Sequence, residues 1–322
     1  MFTTSMQKDM ELSYSMKALH KEWRELFEAS EGFMEQYNVC LDYLTRWVAH
    51  EHSSELKNAR LAQLDKELLP DMLWALLLSI ISFAHEEQLF INIAFKCVNA
   101  LGMDEREEAI HTAFEMIGML SRVTNLFSVY KITKQGSLRI KSNMQLSKGM
   151  VDDILEREYS TPIFSKPKEV KQNFGSAYQT KCPSIFNGSF LNHSDYNAAL
   201  DALNLFNNTR YAIDEDFVEN YNEVDDWDVT NNKNYAYLSQ VEILNLQQMQ
   251  QYNFARYRYN SLFTVKLCLL NGNNFSLNHK YDKRGRMYTD SYYLNPQGND
   301  YKKCMLNAAD SCDIELPPEL NF

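Results

Sequence analysis

Along the first 130 residues, apolar positions recur at helical spacing. Met16, Leu19, Trp23, Leu26 and Phe27 share one helix face, and Tyr37, Cys40, Leu41, Leu44, Trp47 and Val48 share another. Ser53-Ser54 interrupts the pattern and can cap a following helix that carries Leu56, Leu61, Leu64 and Leu68. Pro70 with Asp71 starts a further helix through Trp74 and Leu77. The most apolar window, residues 72–84, is shorter than the roughly 20 residues that span a bilayer, so it predicts a buried helix. Gly102 ends the next helix, and Asp104, Glu105, Glu107 and Glu108 place acids where they complement the N-terminal dipole of another. This half reads as a helical bundle, and no chemical motif falls in it.

The character changes after residue 121. Residues 123–130 and 138–140 are strand-like about Gly136, and residues 151–159 predict a short helix. Pro162, Pro167 and Pro183 punctuate an irregular segment. Residues 194–208 return to helix, with Tyr196, Ala199, Leu200, Leu203 and Phe206 on one face. Polar Thr230-Asn231-Asn232-Lys233-Asn234 predicts a surface connection at a domain boundary. Residues 235–270 form the longest helical stretch, read as two helices, and Gly272 stops it. Two strand-like runs, 275–281 and 287–294, flank an Arg284-Gly285-Arg286 turn.

Composition narrows the class. Hydrophobic residues at 45% and charged residues at 23% are ordinary for a globular chain. Ten Gly and seven Pro against 19 Tyr and 18 Phe favour compact helices over loops. The N-terminus has no basic segment followed by an apolar run, so no secretory signal is predicted. Cys40, Cys97, Cys182, Cys268, Cys304 and Cys312 are scattered, which suggests neither a disulfide framework nor a zinc site and fits a reducing cytosol. Cys304 and Cys312 with His279 have spacing too weak to read as a ligand set.

The net charge of −11 argues against a protein that coats nucleic acid generally. Its distribution differs. Residues 251–303 carry Arg256, Arg258, Lys266, Lys280, Lys283, Arg284, Arg286, Lys302 and Lys303 against only Asp282, Asp290 and Asp300, a net +6. Residues 214–228 hold eight acids and no Lys or Arg. A local positive stretch on an acidic body can hold a phosphate backbone while the rest repels it. From charge alone a solvated charged face is the favoured reading.

The chemistry concentrates in that positive stretch. Gly285 permits a tight turn and close backbone approach. Arg284 and Arg286 offer planar forks that suit phosphate oxygens and sugar hydroxyls, and Asp282 can orient one of them or cap the turn. Tyr288, two residues beyond Arg286, shares its strand face and can stack on a base or reach a sugar. Such contacts position a nucleic acid without reading its sequence, and a contact to a 2′-hydroxyl would sense RNA in a hybrid.

The run Asp282-Lys283-Arg284-Gly285-Arg286, followed by Asn295-Pro296-Gln297-Gly298-Asn299-Asp300 with Lys303 shortly after, resembles the Asp-x-x-Gly-Arg signature region of the single-subunit DNA-dependent RNA polymerases of bacteriophages and mitochondria. Residues 202–213, with Asn208-Thr209 and Ile213, are similar to a helix of those enzymes. Lys166-Pro167-Lys168 and Gly175-Ser176-Ala177-Tyr178 are similar more loosely. The resemblance covers residues 162–303 and is architectural before that.

It implies a mainly α chain: a helical N-terminal domain with small β elements over 1–223, thumb-like helices over 224–273, and the start of a polymerase palm over 274–322. Asp282, Arg284, Gly285, Arg286, Tyr288, Asn295, Gln297, Asn299 and Lys303 would contact nucleic acid, with Arg286 near the active centre. The chain stops 22 residues after Asp300, and the family's metal aspartates, nucleotide-selecting helix and promoter-reading hairpin lie further on. Asp310 and Asp313 lack the hydrophobic strand such ligands need and read as a polar terminus.

The expectation is therefore a chain with no catalytic or metal residues of its own, similar to the smaller subunit of a two-subunit phage polymerase. A second subunit would complete the right-hand fold, bind Mg2+ and cover the palm's open edge. Template DNA, transcript RNA and a promoter-recruiting DNA-binding factor are the other partners implied. The place of action would be the cytoplasm of an infected bacterium, without a membrane span. Two other readings stay open: a non-catalytic binding protein derived from a polymerase, and a helical interaction protein in which the signature is coincidental.

Overall fold

The computed structural model describes residues 2–103, 105–132, 136–187, 198–221 and 238–309. Asp104, Tyr196, the acids at 223–228, the polar run 230–234, the expected boundary at 223–224, and Asp310, Cys312 and Asp313 lie outside the described residues. The chain is mainly α-helical with small antiparallel sheets. It divides into two compact units, Met16–Ile154 and a second that joins Met1–Ser15 to Leu155–Phe322.

Helix α1 (Thr4–Ser13) belongs to the second unit. The Met16–Ile154 unit begins with α2 (Met16–Glu28), α3 (Glu31–Ala49), α4 (Glu55–Leu61) and α5 (Leu69–Phe83). Strand β1 (Gln88–Leu89), α6 (Phe90–Cys97) and α7 (Arg106–Leu120) follow. Strands β2 (Phe127–Lys131) and β3 (Leu138–Ser142) lead into α8 (Lys148–Arg157), within which the division between the units falls.

The predicted buried helix is α5, apolar on nearly every face and packed among α2, α3 and α6. Pro70 and Asp71 sit in its first turn, where a missing N–H costs nothing and an acid meets the dipole. Trp74 stacks on Tyr37 and Phe33 at 4.6 and 5.4 Å between ring centroids. Arg24 lies over its indole while bonding Asp71 and Glu28. Ser54 caps α4 as expected, its hydroxyl accepting from the Lys57 N–H.

Leu26, Leu56 and Leu68 depart from their expected core positions and are exposed. The buried seam of α2 is Leu19, Trp23 and Phe27, which leaves Leu26 on its flank. The short α4 buries only Leu61. Strand β2 starts later than predicted because the N–H groups of Val123 and Thr124 both donate to Leu120 O and close the end of α7. It pairs with β3, and β3 with β1, with Val129 opposite Ile140.

In the second unit come α9 (Leu200–Asn208), β4 (Tyr211–Ile213), α10 (Glu215–Asn220) and α11 (Gln240–Leu270). Strands β5 (His279–Tyr281) and β6 (Met287–Thr289), helix α12 (Asp300–Cys304) and β7 (Leu306–Ala308) complete it. The stretch expected to be two helices is the single helix α11, 31 residues and about 46 Å long. No Gly or Pro breaks it. A capping box between Ser239 and Glu242 starts it, and Gly272, at φ +86°, ends it. Its buried residues, Ser261, Val265 and Cys268, all lie in its C-terminal third.

Long-range ties close this unit. Strand β4 pairs with β7 and β5 with β6, while Tyr211 bridges Phe275 and Ile163 bridges Ser276. The Arg210 guanidinium donates to the Asn274 Oδ1 and carbonyl at 2.5 and 2.7 Å and reaches the carbonyls of residues 163–165. Helix α1 is fastened by Glu11. This carboxylate, buried to 4% exposure, accepts from the N–H groups of Gln179 and Thr180 at 3.0 and 2.8 Å. It also accepts from the Thr180 hydroxyl at 2.7 Å and from the Gln7 amide at 3.1 Å. Gln7 Oε1 in turn accepts the Phe164 N–H at 2.9 Å. No helix among the described residues is long and apolar enough to cross a membrane.

Candidate nucleic-acid interface

Strands β5 and β6 form a hairpin in register Tyr281 to Met287. At its tip the Gly285 N–H donates to Asp282 O at 3.0 Å, and the Asp282 N–H donates to Arg286 O at 2.8 Å. Gly285 takes the left-handed position at φ +77°, with open space where a Cβ would stand. Glycine is needed there for backbone conformation rather than for room.

Asp282 organises the tip. Its Oδ1 accepts from the backbone N–H groups of Arg284 and Arg286 at 2.8 and 2.9 Å. Its Oδ2 accepts from the Nε of both arginines at 3.0 Å and from Arg284 Nη2 at 2.9 Å. One carboxylate therefore orients both guanidinium groups, where the spacing had allowed one. The Asp282 side chain is 16% exposed, and those of Arg284 and Arg286 are 69% and 52% exposed. Partial covering alone would raise the Asp282 carboxyl, but hydrogen bonds from the Arg286 backbone and guanidinium, with its charge, hold it below the usual carboxylate range. The Arg286 guanidinium lies over the Tyr288 ring at 5.7 Å, so strand alternation puts both on one face. With Lys283 also exposed, the tip carries a net positive charge around a fixed acidic pivot.

The Asn295 to Asp300 segment is a loop bound to this hairpin. Gln297 pins it: its Oε1 accepts the Thr289 N–H at 2.8 Å and its Nε2 donates to Met287 O at 3.0 Å, so the amide covers the outer edge of β6. Asn295 turns the loop through its Oδ1, which accepts the Gln297 N–H at 2.8 Å. Asn299 caps α12, accepting from the Lys302 N–H at 3.1 Å. A Cβ on Gly298 would fall 2.8 Å from Lys302 Cβ and 3.1 Å from Asn295 O, so glycine is needed here for room. The three polar side chains expected to meet nucleic acid are engaged in building the loop, and Lys303, half exposed, pairs with Asp300 at 3.1 Å.

Sequence spacing did not single out Lys302, yet it joins this loop to α11. Its Nζ donates to Tyr292 O at 2.7 Å and lies 4.5 Å from the ring centroids of both Tyr257 and Tyr292. Tyr159 stacks on Tyr292 at 4.2 Å, and the Tyr257 hydroxyl donates to Tyr293 O. Burial in this aromatic cage pulls the Lys302 ammonium below its ordinary value. The excess of tyrosine in the composition was the one visible trace of the cage.

His279, at the start of β5, is buried, and its N–H donates to Asn207 Oδ1 at 2.8 Å. Burial lowers its imidazole to about 4. Among the described residues no group of three or more His, Cys, Asp or Glu stands where it could hold a metal ion. His279 and Cys304 thus form no ligand set with any described third residue. No protein-family model matches the chain, and no curated protein matches it either.

Proposed function

We propose that this chain is the nucleic-acid-holding part of a bacteriophage-type DNA-directed RNA polymerase, and that a second polypeptide supplies the two-metal nucleotidyl-transfer site. One observation carries the reading. The segments that resemble the polymerase signature, Asp282–Arg286 and Asn295–Asp300, form one bonded assembly, joined by Gln297, that presents two oriented arginines to solvent. Guanidinium groups fixed by a shared carboxylate have less freedom to lose on meeting a phosphate or sugar, which favours binding without sequence readout.

In this reading Arg286 contacts the RNA–DNA hybrid, Arg284, Tyr288 and Lys303 support it, and Asp282, Asn295, Gln297 and Asn299 position them. The long exposed flank of α11 acts as a thumb along the hybrid, and the β5–β6 hairpin begins a palm that the partner completes. Mg2+ would be held by the partner's aspartates, and no step is assigned to a metal on this chain. The test is Arg286→Ala in the assembled complex. RNA extension on a preformed scaffold falls while subunit association is unchanged; undiminished extension would remove the role given to the hairpin.

A further inference from the structure

Behind the hairpin, within the same unit, a cavity of about 540 Å3 is walled by residues of segment 160–183 and by Asn278, Lys280 and Asp290. That size falls within the roughly 300–1,000 Å3 of small-molecule sites. Its two ammonium groups are not equivalent. Lys280 is neutralised by Asp290 at 2.8 Å, and Asn278 Nδ2 donates to the same carboxylate oxygen at 3.3 Å. Lys181 instead donates to the Ser160 hydroxyl at 2.5 Å and lies 4.7 Å from the centroid of the buried Tyr178 ring. Both of those partners are neutral, and among the described residues no carboxylate comes within ion-pairing distance of Lys181. Glu11 acts on Lys181 from a distance through its negative charge, while its oxygens accept from Gln179, Thr180 and Gln7 rather than from the ammonium.

We infer that this cavity is an accessory binding site for a phosphate group, with the Lys181 ammonium as its charged anchor and Lys280 as a second donor at its rim. Of the groups that line the cavity two are ammonium and one is a carboxylate, and the Lys181 ammonium makes no direct ion pair among the described residues. Polar groups frame the space, and Ser160 and Tyr178 fix the direction of Lys181 before anything binds. Desolvation holds the Lys181 ammonium below its ordinary value, with Glu11 and Asp290 opposing and Lys280 adding to the effect. The phosphate can belong to a free nucleotide or to a nucleic-acid backbone. The site is separate from the hairpin tip and does not rest on the polymerase reading.

The experiment needs only the full-length chain. Acetylation of Lys181 by a lysine-reactive ester is followed by mass spectrometry, alone and with inorganic phosphate, a nucleoside monophosphate, or single-stranded DNA. In parallel, binding of each probe is titrated to the chain and to Lys181→Met. Protection by phosphate or the monophosphate, with affinity about tenfold or more weaker in the variant, supports the site with a small ligand. Protection by DNA alone supports it with a backbone phosphate. No protection by any probe, or equal affinity in chain and variant, overturns it, and the protection assay decides even where the variant folds poorly.

Discussion

Asp282 binds Arg286 twice, accepting its backbone N–H at 2.9 Å and its guanidinium Nε at 3.0 Å. The first bond shapes the hairpin tip and the second aims the side chain, so turn geometry and arginine direction are set by one carboxylate. Asp282→Asn keeps the size of the side chain but removes its charge and one of its acceptors. We predict that the assembled complex then binds an RNA–DNA hybrid about three- to tenfold more weakly at 0.1 M salt, read by fluorescence anisotropy, a modest change because the pairs are solvent-screened. Unchanged affinity would separate the turn from the binding.

Glu11 ties α1 to a segment almost 170 positions away. Glu11→Ala leaves the part-buried N–H groups of Gln179 and Thr180 without their acceptor, with an expected loss of about 1–3 kcal/mol. Urea unfolding measures it, and faster proteolysis at α1 should accompany the loss. A change near zero would mean that water replaces the carboxylate without cost.

Trp74 is the centre of the aromatic stack in the Met16–Ile154 unit. Trp74→Ala leaves a large void beside α5 and should cost about 3–5 kcal/mol by chemical denaturation. A loss below about 1 kcal/mol would place the load-carrying packing elsewhere.

Acid should destabilise both units, one through the buried His279 and the other through the part-buried His20. Burial lowers His279 and His20 from 6.5 to about 4. The unfolded chain therefore binds more protons between those values, and stability falls as pH drops. The contribution is complete above about pH 6.5 and lost progressively toward pH 4, by about 3 kcal/mol per histidine at the limit. Urea midpoints measured from pH 7 to pH 4 check this, and His279→Gln should flatten part of the slope. A slope unaffected by that change would assign acid sensitivity to other groups.

The sequence was informative where one residue type decides a local outcome. Pro70, Ser54 and Gly272 mark helix ends through backbone chemistry that acts within a turn, and the 3.6-residue period of Leu19, Trp23 and Phe27 reports burial directly. Gly285 announced the hairpin for the same reason. What could not be read depends on partners far along the chain. Nothing near Glu11 says that it will meet Thr180, nothing near Gln297 says that its amide will cover β6, and Lys302 looks like any surface lysine until Tyr257 and Tyr292 enclose it. The expected break in α11 was an error of the opposite kind. Residues 235–270 read as two helices, but no Gly or Pro interrupts residues 240–270, and a helix that buries only one end has no need of a continuous apolar stripe.

The most direct test of the central claim is RNA extension on a preassembled RNA–DNA scaffold with Mg2+ and nucleotides. The tagged chain is assayed after purification from infected cells and again after recombinant expression alone. Extension only in the infected-cell preparation, with a second polypeptide co-purifying, is the predicted result. Binding of the hybrid without extension in either preparation would contradict it and leave a nucleic-acid-binding protein that acts without polymerase chemistry.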